Sequence, residues 1–330
     1  MKVRVYGSQK DEYAFYESAK ETSGFSFTFA SEVLSMETVH LTLGFDAIII
    51  VTTCKITSEV AQALYKNGVR FIAARSAGTD HIDYDAARAT GLLAANVPFY
   101  SPGAIAEHTL MTALNLLRRS KREAGMIASG DFSMSGLKGR QLSGMTAGVF
   151  GTGRIGLRTM QLLSGFGCRI LAYDLYPGEQ AKAYCEYREP EYLLRESDIL
   201  FFHCPLTEQN YHMINRDSIA KMKDGVYIVN AARGGLIDGR AVLEALQAGK
   251  VAGFGFDVYE NEQAFLRKNI GPDTIEDEVF RQLLLCENAY YTAHIAFYTD
   301  AAIKNMIQVS IDNLKEYKLT GKCRNELKKA

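Results

Sequence analysis

The chain has 330 residues, more than one hydrophobic core usually supports, so two domains are expected, and a hydrophobic fraction of 47% is enough to fill both. Its 37 Lys and Arg against 38 Asp and Glu give a net charge of -1. That balance provides no electrostatic footprint for a nucleic acid or an anionic membrane and favours small, roughly neutral partners.

Six cysteines, at positions 54, 168, 185, 204, 286 and 323, show no CxxC spacing and lie mostly in apolar, strand-like surroundings, as reduced buried thiols do. Met1 leads straight into "VRVYG" without a basic-then-apolar leader, and no apolar run has the length that crosses a bilayer. A soluble, cytoplasmic protein is expected, with no metal, nucleic acid or membrane to bind.

From the N-terminus, the short apolar runs "KVRVYG", "FSFTF", "FDAIIIV" and "VRFIAARS" alternate with helical patterns such as "SEVAQALYKNG". Such alternation predicts parallel strands with right-handed helical crossovers, so residues 1 to about 100 read as one α/β unit. Pro98 and Pro102 then break the chain ahead of a helix starting near Ser101, with Pro102 in its first turn, and this helix is placed to bridge two domains. A polar, hairpin-like stretch, "ASGDFSMSGLKG", leads to a second strand series: "TAGVFG", "CRILAYD", "DILFFH", "GVYIVN", "VAGFGFDV" and "AYYTA". A last helix, "DAAIKNMIQVSIDNLKEY", carries Ala302, Ile303, Met306, Ile307, Ile311 and Leu314 at helical spacing, a packing face whose domain periodicity does not reveal. The charged tail "RNELKKA" reads as solvated.

"VFGTGRIG" sets Gly151, Gly153 and Gly156 in G-x-G-x-x-G spacing, directly after an apolar strand and directly before a helical segment. Glycines so placed permit a tight turn, close approach to a pyrophosphate and close helix–strand packing, with the helix N-terminus offering N–H groups to the phosphates. A second strand, "CRILAYD", ends in Asp174, 18 residues past the last glycine, where a carboxylate accepts hydrogen bonds from the adenosine ribose and repels a 2′-phosphate. NAD is therefore expected rather than NADP.

Ligands of doubly wound sheets bind beyond the carboxyl ends of the strands. Arg233 follows "VYIVN", Glu262 follows "GFGFDVYEN" and His294 follows "AYYTA". Hydride transfer from a secondary alcohol needs a base for the hydroxyl proton and a fixed cation for the substrate. His294 suits the base, with a titration near neutrality raised by a carboxylate partner. Glu262 is the candidate partner, although spacing alone does not decide between it and Glu260, and Arg233 suits a bidentate clamp on a carboxylate and the adjoining oxygen.

Seven ordered stretches, "RSAGTDHID", "NVPFYSPGAIAEHT", "GVFGTGRIG", "HCPLTEQNYHMIN", "MKDGVYIVNAARGGLID", "GFDVYENE" and "HIAFYTDAAIKNM", span nearly the whole chain. On these motifs the sequence resembles the NAD-dependent D-2-hydroxyacid dehydrogenase family, in its D-lactate dehydrogenase branch. The resemblance implies an α/β chain of two domains, a Rossmann domain over residues 101–299 inserted into a flavodoxin-like substrate domain formed by 1–100 and 300–330. It places the family's arginine, acid and histidine on Arg233, Glu262 and His294. Arg154 and Ile155 would touch the pyrophosphate, Asp174 the ribose, Cys204, Pro205 and Asn210 the adenine side, and Ala231, Ala232, Arg233 and Asp257 the nicotinamide half. Backbone N–H groups of Ala77 and Gly78 would hold the substrate carboxylate, with Tyr100 and Tyr298 lining a cleft that closes on the substrate. A homodimer through the helix and arm after "SPGAIAEHT" is also implied.

Two positions depart from the family pattern. Ala293 stands where proline commonly precedes the histidine, removing a local restraint on His294, and Cys204 replaces a frequent valine, a packing substitution rather than a redox centre. The long segment between Glu262 and His294 resembles the lactate and hydroxyisocaproate branch. The expected reaction is reversible reduction of pyruvate, or a related small 2-keto acid, to the D-2-hydroxy acid with NADH. Because side-chain size selects by only about 1–3 kcal/mol per methylene, 2-hydroxyisocaproate remains an alternative. So does 2-hydroxyglutarate, whose second carboxylate would suit Lys55, and so does a catalytically silent NAD sensor of the corepressor type.

Overall fold

The computed structural model describes residues 1–328; Lys329 and Ala330, the end of the tail expected to be solvated, lie outside the described residues. The chain divides into two compact units, one formed by Met1–Ser101 with the residues from Tyr298 onward, the other by Pro102–Phe297.

The first unit runs β1 (Lys2–Tyr6), α1 (Tyr13–Ser23), β2 (Ser26–Ala30), β3 (Ala47–Ile50), α2 (Ser58–Lys66), β4 (Phe71–Ala74), α3 (Tyr84–Ala89) and β5 (Leu93–Ala95). Its five parallel strands take the order β2-β1-β3-β4-β5, the flavodoxin-like arrangement. Strands β3 and β4 are buried along their whole length, which is why they read as continuous apolar runs instead of alternating ones.

The second unit holds α4 (Pro102–Leu117), α5 (Ser120–Ala128), β6 (Thr146–Phe150), α6 (Arg154–Gly165), β7 (Arg169–Tyr173), β8 (Glu186–Tyr187), α7 (Pro190–Glu196), β9 (Ile199–Phe202), α8 (Arg216–Ala220), β10 (Val226–Asn230), α9 (Gly239–Gln247), β11 (Val251–Phe256), α10 (Glu278–Leu285) and β12 (Ala289–Tyr291). All its strands are parallel, ordered β12-β11-β10-β9-β6-β7-β8. That is the Rossmann order, whose switch point falls between β6 and β9. Successive residues of one strand enter different cores: Phe150, Phe202, Ile228 and Phe254 pack on one face, and Val149, Phe201 and Val229 on the other.

The last helix, α11 (Asp300–Thr320), returns to the first unit, where Tyr317 stacks on Phe71 of β4 with ring centroids 4.5 Å apart. Helix α4 belongs to the second unit, with its buried face on α6, β10 and β11. The "ASGDFSMSGLKG" stretch forms no paired strands. The tail also departs from the sequence expectation: Glu326 bridges antiparallel to Ala95, the Leu327 N–H donates to the Ala94 carbonyl, and the Leu327 side chain packs against the first unit's core. A short leucine-containing segment beside an edge strand finds backbone partners, despite its charge.

Candidate active site

At the switch point the chain leaves β6 through Gly151, whose φ of +92° favours glycine and whose α-carbon lies against His203 and Cys204; a Cβ there would come 2.5 Å from the Cys204 nitrogen. A Cβ on Gly156 would fall 1.9 Å from the Gly151 carbonyl oxygen, so this position closes the turn against the start of α6. Gly153, the N-cap of α6, differs: nothing lies within 4 Å of a Cβ built on it. The loop is thus pinned on its inner side and open on its outer side, where backbone N–H groups at the start of α6 remain for a pyrophosphate. Arg154 and Ile155 form the first turn of α6, Arg154 exposed and Ile155 half-buried.

Asp174 leaves β7 beside this loop. One carboxylate oxygen accepts from the Thr152 N–H and, at 3.0 Å, from the Thr152 hydroxyl; the other accepts from the Tyr176 N–H at 2.9 Å. The glycine loop therefore orients the acid. Beneath the loop, His203 is half-buried, its Nε2 3.0 Å from the Thr159 hydroxyl on α6, and burial pushes its imidazole down to about 4.

Among the adenine-side candidates, Asn210 uses both ends of its amide within its own loop, accepting from the Thr207 N–H at 2.7 Å and donating to the Pro205 carbonyl at 2.8 Å. It shapes the segment that Pro205 enters. Cys204 packs against the core, and burial pushes its thiol up to about 11, so it stays protonated and weakly nucleophilic.

Three adjacent strands, β10, β11 and β12, release Arg233, Glu262 and His294 at the same end of the sheet. Glu262 is 7% exposed, and its Oε1 sits 2.7 Å from His294 Nδ1. A carboxylate only accepts, so Nδ1 carries the proton and Nε2 occupies the opposite edge of the ring. Oε2 of Glu262 accepts from the Tyr259 N–H at 2.9 Å. Geometry settles what spacing left open: Glu262 faces the imidazole, whereas Glu260 turns to Tyr211 and His212. Arg233, half-buried, donates to the Ala232 carbonyl at 2.8 Å, and its own carbonyl accepts from Asn230 Nδ2; Asn230 Oδ1 also accepts from the Ala232 N–H. Ala231 and Ala232 are both half-buried in this turn.

His294 has a φ of +53°, a conformation that costs a non-glycine residue energy and persists only when its surroundings impose it. Here they do. The His294 N–H donates to the Asp257 carbonyl at 2.8 Å, while the Asp257 carboxylate accepts from Ile295 N–H (2.9 Å), Ala296 N–H (3.0 Å) and the Thr292 hydroxyl (2.7 Å). Asp257 thus supplies the restraint that Ala293, in place of proline, does not. The Thr292 hydroxyl also meets His108 Nε2 at 2.8 Å. His108 lies 3.5 Å from Asp257, yet burial depresses its protonation more than that carboxylate raises it, so the contact is a neutral hydrogen-bond chain and not an ion pair. Sequence reasoning missed His108; its place in "SPGAIAEHT" was the available signal.

In the first unit, β4 ends at a buried ion pair, Arg75 to Glu12 at 2.7 Å, that anchors the following loop. The Ser76 carbonyl accepts from the Val97 N–H and the Ala77 carbonyl from Asn96 Nδ2. In a trans peptide the N–H points opposite to the carbonyl, so the N–H groups of Ala77 and Gly78 are directed away from Val97 and Asn96. Tyr298 donates its hydroxyl to Asp11 at 3.3 Å, and the Tyr100 carbonyl accepts from Asn305.

A family model described as D-isomer specific 2-hydroxyacid dehydrogenase, NAD binding domain, matches residues 110–296. The chain belongs to that family. Within this D-2-hydroxyacid dehydrogenase family it is 39% identical to an aromatic 2-oxoacid reductase of Clostridium sporogenes over 327 residues, covering 99% of each chain. Against the D-lactate dehydrogenase of Escherichia coli it is 39% identical over 328 residues, 99% of this chain and 100% of that one. The solved apo-structure of D-lactate dehydrogenase from Escherichia coli superposes with a TM-score of 0.90 at 38% identity, covering 99% and 100%. The chain is thus an NAD-dependent oxidoreductase of the branch that includes D-lactate dehydrogenases, and the open glycine loop with its oriented Asp174 fits that cofactor. Among the described residues, no helix is long and apolar enough to cross a membrane.

Proposed function

We propose that the chain is a D-lactate dehydrogenase, reducing pyruvate, or a closely related small 2-keto acid, reversibly to the D-2-hydroxy acid. NADH, when bound, supplies the hydride. The observation that carries the reading is the 2.7 Å contact between His294 Nδ1 and the buried Glu262, which leaves Nε2 to give its proton to the substrate oxygen as the carbonyl becomes a hydroxyl. In the oxidative direction the neutral ring takes that proton back. Arg233 holds the substrate carboxylate and the reacting oxygen bidentately, and the carbonyl-fixed N–H groups of Ala77 and Gly78 are further carboxylate donors. Arg154 and Ile155 hold the pyrophosphate, Asp174 the ribose, the Cys204–Asn210 loop the adenine side, and Ala231, Ala232 and Asp257 the nicotinamide side. Tyr100 and Tyr298 contact the substrate.

Replacing His294 with Gln tests this directly. Turnover of NADH with pyruvate should be lost while NADH binding, followed by fluorescence, persists; near wild-type turnover would overturn the assignment.

A second reading, favoured by the 39% identity to an aromatic 2-oxoacid reductase, is an enzyme of the same chemistry that prefers a bulky keto acid. Comparing kcat/KM for pyruvate, 2-ketoisocaproate, phenylpyruvate and 2-ketoglutarate ranks the candidates, and the last of these tests Lys55 as well. The proposal also includes a cytoplasmic homodimer joined through α5 and the arm after it. No α5 residue is buried within the chain, and Ile127, Phe132 and Met134 are 52%, 81% and 87% exposed. A monomeric mass in light scattering would remove the dimer.

A further inference from the structure

Glu260 lies outside the acid–base pair, but its contacts join three loops at the same end of the second unit's sheet. Its carboxylate accepts the Tyr211 hydroxyl on one oxygen and meets His212 Nε2 at 2.9 Å on the other. Tyr211 and His212 stack on each other with centroids 4.0 Å apart, and His212 holds a φ of +49°, the same left-handed backbone as His294. The His212 N–H donates to the Gly235 carbonyl at 2.8 Å. Gly234, next to Arg233, packs its α-carbon so closely on the Tyr259–Glu260 peptide that a Cβ would fall 2.2 Å from the Tyr259 carbonyl carbon. Through Tyr259 the same peptide reaches Glu262, because the Tyr259 N–H donates to Glu262 Oε2.

The loop after β9, the Arg233 turn after β10 and the Glu262 loop after β11 therefore meet around Glu260, whose carboxylate holds Tyr211 and His212 while its backbone lies against Gly234. Asp277, the N-cap of α10, holds the Glu262 loop from its other side by accepting from the Tyr259 hydroxyl at 3.0 Å and from Asn261 Nδ2 at 3.1 Å. The Glu260 and His212 side chains are each 29% exposed. A hydrogen bond that wet adds little to global stability. Two strained or short-range contacts converging on it are better explained by placement than by stability.

We propose that Glu260, clasped by Tyr211 and His212, is a positioning residue that couples the loop carrying Cys204, Pro205 and Asn210 to the placement of Arg233 and Glu262. The clasp lets contacts with the adenine end of the cofactor fix the groups that work on the substrate, and it rests on the site reading given above. A misplacement of about 1 Å in such groups costs up to roughly 100-fold in rate.

The test is a double-mutant cycle on Glu260→Ala and His212→Ala, read by kcat and, separately, by the NADH dissociation constant from fluorescence titration. Each single change should lower kcat about tenfold and weaken NADH about threefold, and the double variant should lose no more than the worse single, since both remove the same clasp. Glu260→Gln, which retains an acceptor for Tyr211 and offers an amide N–H to His212 in its other tautomer, should recover most of both. Losses that multiply in the double variant, or a Glu260→Ala enzyme within about twofold of wild type in kcat and NADH binding, would overturn the proposal. If Glu260→Ala does not fold, His212→Ala and Glu260→Gln carry the same comparison. Because the NADH titration does not depend on proton transfer, the clasp and the role of His294 fail separately.

Discussion

Asp257 and His294 are tied main chain to main chain: the His294 N–H donates to the Asp257 carbonyl at 2.8 Å while the Asp257 carboxylate gathers Thr292, Ile295 and Ala296 around it. The left-handed backbone at His294 is thereby imposed from β11, and the imidazole is delivered to Glu262. Asp257→Asn replaces one acceptor with a donor against these N–H groups, leaving at least one buried group unpaired at a cost of about 1–3 kcal/mol. Thermal unfolding should fall by several degrees and kcat should drop together with it. An unchanged melting temperature would show that the turn does not depend on the carboxylate.

Glu262→Gln keeps the size of the side chain but no longer guarantees an acceptor for Nδ1, and its amide can hold the ring in the wrong tautomer. The loss in kcat should approach about 100-fold, the order that one correctly protonated general acid contributes. NADH affinity should change little. Stopped-flow single turnovers with pyruvate separate this chemical loss from product release.

Two glycines of one loop should answer differently to the same added methyl. Gly156→Ala places a carbon 1.9 Å from the Gly151 carbonyl oxygen and should destabilise the second unit as well as abolish NADH binding. Gly153→Ala meets nothing within 4 Å, so it should melt like the wild type while weakening NADH about tenfold or more, because the methyl occupies the approach to the pyrophosphate. Unimpaired NADH binding by Gly153→Ala would place the phosphates elsewhere.

Acid should weaken the second unit through His203. Burial lowers its titration from 6.5 to about 4. Between those values the unfolded chain takes up a proton that the native imidazole refuses, so stability is full above pH 6.5 and falls as pH drops toward 4, by about 3 kcal/mol from this group. Denaturant melts from pH 7 to pH 4 should show a shallower decline in His203→Gln than in wild type. Parallel declines would remove His203 from the acid response.

Much of this was legible before any coordinates. The strands "AIII" and "VYIVN" announce themselves because strands covered on both faces are apolar throughout, and the G-x-G-x-x-G spacing between a strand and a helix carries its own backbone logic. Other elements were silent. β8 is a two-residue pairing, Glu186–Tyr187, with no apolar pattern, and β5 is three residues long. The choice between Glu260 and Glu262 depends on a tight turn at Glu262–Ala264 that no period encodes. The restraint on His294 comes from Asp257, 37 residues earlier, so it is invisible to local reading at Ala293. Glu326 pairing with Ala95 escaped notice because a charged segment attached by its backbone looks like any other polar tail.

The divided first unit has a consequence for biosynthesis. Its strands leave the ribosome before the inserted unit, but α11, which covers β4 with Tyr317 against Phe71, and the segment that bridges Ala95 emerge only after it. At translation speeds of 5–20 residues per second, the nascent sheet waits roughly 10 to 40 s, while the whole inserted unit is made, with one apolar surface bare. Over that interval the growing polypeptide is a natural client for holdase chaperones.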